Sequence, residues 1–298
     1  MTAKLAKILY KLILFLDSLC FFYTKKRFYN KDSDSLLMIH RLKDYIYDHL
    51  RNTYVNVKIQ EKNIYFFSPT KLSQWRAKTL FSKEPETLKW IDNFENKKGN
   101  IFWDIGANIG LYSIYGAIKN DKLKVVAFEP STLNLNLLSK NISINNLADK
   151  ITINQIGLTN LPNKFMLLNE SSPYEGSADS SFGVDFNSEG KKLNIINQYK
   201  IFGNSINYLL ENHILEIPTY IKLDVDGIEH LILKGADAFL NHKKIKSISI
   251  ELNENFKDQY NSVCDLLFKS KFKITNNKNY TNAENFEKNY NYIFEKDN

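Results

Sequence analysis

The sequence predicts an α/β fold built on a mostly parallel sheet, and three observations support this prediction. From Ile101 onward, short runs of β-forming residues alternate with amphipathic helical segments, as in a parallel sheet covered by helices. The first of these strands ends at Ile105 and runs into a glycine turn and a helix. The second strand, Val125–Phe128, ends in an acidic residue, Glu129.

The turn after the first strand reads Gly106-Ala107-Asn108-Ile109-Gly110. Glycine lets the backbone turn sharply and approach a ligand, and the helix beyond it offers free N–H groups. Glu129 lies where nucleotide-binding α/β folds have a carboxylate that accepts ribose hydroxyls. The sequence therefore predicts a nucleoside-binding site. Because Asn108 stands where the dinucleotide fingerprint has its middle glycine, we expect a ligand other than a dinucleotide.

Four segments resemble, in sequence and in order, the motifs of the FkbM-type methyltransferase family: Asp104–Gly110, Ala127–Pro130, Ile221–Glu229 and Leu233–Ala236. The resemblance runs from about Ile101 to Asn253, roughly half of the chain. It implies a methyltransferase that depends on S-adenosyl-L-methionine and has a Rossmann-like, seven-stranded, mostly parallel sheet of class I. It also implies that the acceptor is a hydroxyl oxygen of a sugar, a glycan or a small metabolite.

By this resemblance, seven residues are expected to bind the cofactor: Asp104, Gly106, Ala107, Asn108, Gly110, Glu129 and Gly157. The glycine loop would surround the methionine part, Asp104 would help to hold its amino group, and Glu129 would accept the ribose hydroxyls. The family often has an acidic adenine contact just past the third strand. Here Gln155–Leu158 stands at that point, so the adenine contact is left open.

The segment from Asp224 to Glu229 is the predicted catalytic region. An alcohol is a poor nucleophile until its proton leaves, so methyl transfer to it needs a base within hydrogen-bond reach. In a strand Asp224 and Asp226 would share a face, and repulsion among clustered carboxylates would raise the proton affinity of one of them. We expect Asp226 to be the base, with Asp224 as the second choice. Glu229 would contact the substrate or the loop, or cap its own helix.

A divalent metal is a competing account of the same acidic region. Asp224, Asp226, Glu251 and Asn253 offer only oxygen ligands, which would suit magnesium. Sequence alone does not place these side chains within coordination distance of one another. We therefore expect no metal at the site and keep magnesium as the alternative.

Charge and cysteine content bear on the class of methyl acceptor and on the cellular compartment. The formal net charge is +7, and residues 1–60 carry eleven Lys and Arg against five Asp, so the rest of the chain is nearly neutral. This argues against a nucleic-acid acceptor, which usually requires a broad basic surface. Two cysteines, Cys20 and Cys264, exclude a disulfide framework and fit a cytoplasmic location. The rival functions are a nucleic-acid methyltransferase and a non-catalytic protein that binds the cofactor.

The predicted organisation is an extension over residues 1–98, followed by the methyltransferase domain over 99–298. Within residues 1–30, apolar side chains at helical spacing have basic flanks, which fits packing on the domain or a peripheral position at a membrane surface. Asp17 interrupts the apolar run, which is too short to span a bilayer. A hairpin over 56–67 and a helix over 73–94, broken at Pro85, would form a cap. The long loop Pro173–Gly190 is expected to select the acceptor.

Overall fold

The computed structural model describes residues 52–178, 180–275 and 289–296, together with nine scattered helical positions from Ile8 to Tyr45. The chain divides into two compact units, Met1–Thr53 and Tyr54–Asn298. In the first unit the side chains of Ile8 and Leu12 are exposed. Most of the segment 1–30, for which helical spacing was noted, lies outside the described residues. No helix that the structure describes is long and apolar enough to cross a membrane.

The strands of the second unit are β1 (Tyr54–Ile59), β2 (Lys62–Phe67), β3 (Ile101–Ile105), β4 (Lys124–Phe128), β5 (Ile151–Asn154), β6 (Gly157–Leu158), β7 (Lys164–Glu170), β8 (Ser180–Phe182), β9 (Asn197–Asn204), β10 (Tyr220–Leu223), β11 (Ser247–Asn253), β12 (Phe272–Ile274) and β13 (Asn289–Lys296). Its helices are α1 (Lys71–Lys78), α2 (Pro85–Asp92), α3 (Leu111–Lys119), α4 (Thr132–Ile144), α5 (Ile206–Glu211), α6 (Glu229–Lys234), α7 (Asp237–Leu240) and α8 (Lys257–Lys269).

A seven-stranded sheet with the order β12-β13-β11-β10-β3-β4-β5 forms the centre of this unit. The five strands from β11 to β5 run parallel, and β13 pairs antiparallel with both β11 and β12. The predicted α/β class and the seven-stranded, mostly parallel sheet are therefore confirmed. Strands β3, β4 and β10 are adjacent or nearly so, which brings their carboxyl ends to one edge of the sheet.

Both faces of the sheet are buried. Alternate side chains of each strand point to opposite sides, so each strand contributes to a core on either face. On β3, Phe102 joins one hydrophobic core and Trp103 joins the other, and neither side chain is exposed. The first core also contains Trp90 of α2, whose Nε1 donates to the Ser247 hydroxyl at 2.7 Å. The centre of the sheet is thus dry, and polar side chains in it need partners.

The hairpin and the first two helices belong to the same compact unit as the sheet. Strands β1 and β2 pair antiparallel, as predicted, and the Asn141 side chain of α4 accepts the Phe67 N–H at 2.7 Å. The predicted break at Pro85 is confirmed, since Pro85 occupies the first turn of α2. The structure divides the chain after Thr53, whereas the sequence suggested residue 98. A cap function for this segment stays a prediction.

A smaller sheet with the order β6-β9-β7-β8 differs from expectation. Strand β8 lies inside the segment 173–190, which the sequence predicts as a long loop, and β9 is not predicted at all. Both strands are short or rich in polar residues, so their apolar alternation is weak. Between Ile228 and Leu240 the chain forms two short helices, α6 and α7, which are divided at Gly235.

The turn after β3 offers a stability prediction with a matched control. A Cβ atom added at Gly106, where φ is +86°, would lie 1.8 Å from the Asp224 carbonyl oxygen, whereas one at Gly99, where φ is +92°, meets nothing within 4 Å. Gly99→Ala should lower the free energy of unfolding by about 1–2 kcal/mol, the cost of left-handed backbone. Gly106→Ala should cost about 1–3 kcal/mol more, because backbone must move. Denaturant unfolding of both variants measures the difference, and equal losses would contradict the close contact.

Candidate active site

The glycine turn joins the ends of β3 and β4. The N–H groups of Gly106 and Ala107 both donate to the Phe128 carbonyl at 3.0 Å. Gly106, Asn108 and Gly110 have positive φ values of 86°, 50° and 88°. This left-handed geometry favours glycine and is tolerated by asparagine, which explains the residue types in the motif. A Cβ at Gly110 would lie 2.5 Å from Leu138 of α4, so this glycine is needed for helix packing.

Glu129 follows β4 and is only 4% exposed. One of its carboxylate oxygens accepts the Asn108 N–H at 2.7 Å, and the other accepts the Ser131 N–H at 2.8 Å. Burial raises the pKa of Glu129 to about 8, although the two backbone amides act in the opposite direction. The Asn134 side chain also acts on this carboxylate by a hydrogen bond, and a carboxylate has about four acceptor positions, so Glu129 keeps acceptor capacity for a ligand.

The acidic segment after β10 is a loop, which corrects one step of the sequence argument. Strand β10 ends at Leu223, so Asp224 and Asp226 do not share the face of a strand. Asp226 has a φ of +59° and Gly227 a φ of +122°, and this turn brings the carboxylates together by another route. Carboxylate oxygens of Asp224, Asp226 and Glu251 all lie within 4.8 Å of one another.

Asp224 is held by a buried lysine on its own strand. The Lys222 Nζ lies 2.6 Å from Asp224 Oδ2, and the Lys222 side chain is 2% exposed. Burial alone would raise the pKa of Asp224, but the ammonium groups of Lys222 and Lys83 hold it well below its usual range. Burial and the Asp224 charge raise the pKa of Glu251 well above its usual value. The adjacent carboxyl groups therefore differ strongly in proton affinity.

Glu229 closes the loop from inside. Its side chain is buried, and its carboxylate accepts the N–H groups of Val225 at 3.0 Å and Gly227 at 3.1 Å. Gln259 of α8 donates a further hydrogen bond from its side-chain amide. Burial raises the pKa of Glu229 to about 7, and the backbone amides act against this. Of the expected roles for Glu229, the geometry supports the loop contact.

One cavity of about 690 Å³ connects these parts. That volume is in the range of small-molecule and cofactor sites. Six of the sequence-predicted site residues line it: Gly106, Asn108, Glu129, Gly157, Asp224 and Asp226. Glu129 and Asp226 thus face the same enclosed space, as the sequence argument required.

Four predicted site residues are not on the cavity wall: Asp104, Ala107, Gly110 and Glu229. Asp104 is fully buried in β3, and its carboxylate accepts the Ser113 hydroxyl at 2.6 Å. Burial raises the pKa of Asp104. Its expected contact with the cofactor amino group stays a prediction. Gly157 does line the cavity, but it also packs closely against Phe182, where an added Cβ would lie 2.4 Å from the ring.

Sequence reasoning expected the helix over 73–94 to form part of a cap, but it named none of the residues of this segment that line the cavity. Helix α1 and the turn that follows it contribute Leu72, Trp75, Arg76, Thr79, Ser82 and Lys83. This segment precedes the first strand of the sheet and carries no recognised motif. Its only local signal is the reciprocal cap between Thr70 and Ser73, which marks where the helix begins but not what it faces.

The loop before β8 connects this wall to the glycine turn. The Ser177 carbonyl accepts the side-chain amides of Asn108 at 2.8 Å and Asn134 at 3.1 Å. The Gly176 carbonyl accepts the Arg76 Nε–H of α1. Ser177 and Ala178 line the cavity, so this part of the predicted acceptor loop closes one side of it.

The three clustered carboxylates are also the residues that could hold a cation. Asp224, Asp226 and Glu251 have the oxygen ligands and the mutual spacing that a hard divalent ion requires. The fourth predicted ligand, Asn253, instead accepts the Asn255 N–H at 2.8 Å with its side-chain oxygen. Lys222 already neutralises Asp224. Metal dependence therefore stays an alternative.

Comparison with known proteins gives one family match. The model of the methyltransferase FkbM domain matches residues 104–292, which include the glycine turn, Glu129 and the acidic loop. A similar protein is the methyltransferase sdnD of Sordaria araneosa, which is 31% identical over 159 residues. That alignment covers 45% of this chain and 59% of sdnD, so the chain spans less than two thirds of that relative.

Solved structures with a similar chain trace include three methyltransferases or related proteins. The precorrin-6y C5,15-methyltransferase of Geobacter metallireducens is 14% identical, covering 72% of this chain and 87% of that chain, with a TM-score of 0.39. TrmK of M. capricolum, solved with S-adenosyl-homocysteine, is 14% identical, covering 70% and 67%, with a TM-score of 0.41. TYW2 of M. jannaschii, solved with AdoMet, is 13% identical, covering 83% and 88%, with a TM-score of 0.42.

The raised pKa of Glu129 predicts that cofactor affinity depends on pH. Below about pH 8 the carboxyl is largely protonated and has lost acceptor capacity, whereas above it the carboxylate can accept hydrogen bonds from the ribose. Affinity for S-adenosylhomocysteine should therefore increase about tenfold from pH 6.5 to 9, as measured by calorimetry. Glu129→Gln cannot titrate and should lack this increase. Comparing the two proteins cancels the titration of the ligand's own amino group, and parallel pH profiles would contradict the assignment.

Proposed function

The chain belongs to the FkbM methyltransferase family, and from this premise we propose that it methylates a hydroxyl oxygen of a sugar, a glycan or a small metabolite. S-adenosylmethionine is the methyl donor. The observation that carries the proposal is one cavity that is lined by Glu129, Asp224 and Asp226. Glu129, which could accept hydrogen bonds from a nucleoside, thus lines the same cavity as the two aspartates that could accept a proton.

The wall near Glu129 fits the nucleoside part of the donor. Glu129 keeps acceptor capacity for the ribose hydroxyls beside its contacts within the protein. Beside it, Phe128, Ile156 and Leu158 line the cavity with apolar surface suited to the adenine ring. Asn108 would lie near the methionine part, since it adjoins Glu129 and lines the same cavity. When bound, S-adenosylmethionine supplies a methyl group on a positively charged sulfur.

Asp226 is proposed to take the proton of the acceptor hydroxyl. It lines the cavity, and its carboxylate lies beside those of Asp224 and Glu251. Neighbouring negative charge favours uptake of a proton by a carboxylate. Asp224 suits this task less well, because its ion pair with Lys222 depresses its pKa and makes it a weak base. Asp224 would instead hold the acceptor or the donor by a hydrogen bond.

The wall formed by α1 is proposed to select the acceptor. Trp75 lines the cavity and is 45% exposed, so its indole offers an apolar surface against which a sugar ring could pack. Thr79 and Ser82 add hydroxyl groups suited to a polyhydroxylated molecule. Ser177 and Ser188 of the predicted acceptor loop lie on the same cavity. Together these groups support a small polar acceptor.

The remaining expectations on partners and location also stand as proposals. The near-neutral charge beyond residue 60 supports a small acceptor over a nucleic acid. The low cysteine content supports a cytoplasmic location. The basic, apolar segment 1–30 supports peripheral contact with an anionic membrane as an alternative to packing on the domain.

Substitution of Asp226 tests the proposed base. Asparagine tolerates the left-handed backbone at this position, so Asp226→Asn should fold normally while losing the proton acceptor. We expect turnover to fall by about 100-fold or more, with S-adenosylhomocysteine affinity unchanged. The assay follows transfer of a tritiated methyl group from S-adenosylmethionine to the small-molecule fraction of a cell extract.

Asp265→Asn is the matched control, because Asp265 lies exposed on α8 and away from the cavity. It should retain the turnover of the unchanged protein. Full turnover in Asp226→Asn would remove Asp226 as the base. Label recovered only in RNA, or cofactor binding without transfer to any fraction, would support one of the two rival functions.

A further inference from the structure

Lys222 is a buried lysine at the centre of the sheet, on the strand that leads into the acidic loop. Its strand, β10, lies between β3 and β11. The Lys222 side chain is 2% exposed, and its Nζ lies 2.6 Å from Asp224 Oδ2. A buried ammonium is costly unless it is paired, so the surrounding side chains must satisfy it.

Charged and aromatic groups from four other segments surround this ion pair. The Lys222 Nζ lies 4.7 Å from the centre of the Tyr112 ring of α3, an arrangement that stabilises a cation. The carboxylates of Glu84, which precedes α2, and Asp104 of β3 act on Lys222 electrostatically. Glu251 of β11 acts on Asp224. The pair is therefore enclosed on several sides.

A second ion pair lies beside the first. Glu84 is fully buried, and its Oε1 accepts the Lys83 Nζ at 2.6 Å. Two ammonium groups, Lys83 and Lys222, thus face two ionised carboxylates, Glu84 and Asp224. Lys83 also lines the cavity, so this cluster of charged side chains extends to the cavity wall. Removing one charge would leave another buried group without its partner.

This geometry constrains the acidic loop after β10. Lys222 is fixed by the ladder of the central sheet, and Asp224 is the first residue after that strand ends. Their contact therefore fixes the start of the loop and the orientation of the Asp224 carboxylate relative to the central sheet. Displacement of a reacting group by about 1 Å can reduce a rate about 100-fold.

We propose that Lys222 is a positioning residue for methyl transfer, whose ammonium group fixes the Asp224 carboxylate at the cavity wall. The inference rests on the proposed function, because it concerns the same site. Lys222 does not itself line the cavity. It acts through Asp224, and its effect should therefore disappear when the Asp224 carboxylate is absent.

The test compares Lys222→Met with Lys246→Met in the full chain. The control lysine forms an ion pair of the same length, 2.6 Å, with Glu95, but it lies at the surface. The assay uses tritiated S-adenosylmethionine and the small-molecule fraction of a cell extract, both saturating. Lys222→Met should lower the maximal rate about 100-fold, with the KM for S-adenosylmethionine and the affinity for S-adenosylhomocysteine within about threefold. Lys246→Met should leave all three unchanged.

A double-mutant comparison shows whether Lys222 acts through Asp224. Lys222→Met combined with Asp224→Asn should transfer methyl groups at the rate of Asp224→Asn alone. This pair also decides the matter if Lys222→Met does not fold, because the double variant has no Asp224 charge to leave unpaired. A further loss in the double variant, or a normal maximal rate in folded Lys222→Met, would overturn the proposal. No transfer by the unchanged protein would instead overturn the proposed function.

Discussion

The contact between Gly106 and the backbone of Asp224 is the constraint on which the site depends. An added Cβ at Gly106 would overlap the Asp224 carbonyl oxygen, so the turn after β3 and the loop after β10 pack with no side chain between them. Gly106 also donates its N–H to Phe128 at the end of β4. Three strand ends are thereby held together, and the groups they carry can line one cavity. Glycine is the residue type that allows this approach.

This close approach places several buried or half-buried carboxyl groups near one another, so their charges must be paired or neutralised. Burial raises the pKa of Glu129, Glu251 and Asp104, whereas Lys222 lowers that of Asp224. Carboxyl groups of the same chemical type therefore have different proton affinities because their neighbours differ. A site that must remove one proton from an alcohol benefits from such a separation, since one group can stay charged while another takes the proton.

The sequence predicted those parts of the fold and site that depend on local backbone geometry. The glycine turn, the acid after β4 and the parallel strands each follow from a short pattern, and the structure contains them. A cap that includes this helix was expected, but the side chains of α1 that line the cavity were not predictable. Arg76, for example, is bonded to the Gly176 carbonyl, 100 residues away along the chain. Glu229 is an acidic residue of the kind that can act in catalysis, but its carboxylate is buried and bonded to Gln259 of α8. No local sequence pattern reveals this contact.

The acidic loop brings the predicted carboxylates together by a geometry that the sequence argument did not foresee. Asp224 and Asp226 were expected to meet on one face of a strand, but the strand ends at Leu223. They are brought together because Asp226 adopts left-handed backbone and Glu229 binds the N–H groups of Val225 and Gly227 from below. A strand would have fixed both carboxylates with equal rigidity. In the loop, Asp224 is bound to the sheet by Lys222, whereas Asp226 lies two residues further along the chain, in left-handed backbone. The tightly held carboxylate is thus suited to orient a ligand, and the one beyond it to exchange a proton with the acceptor.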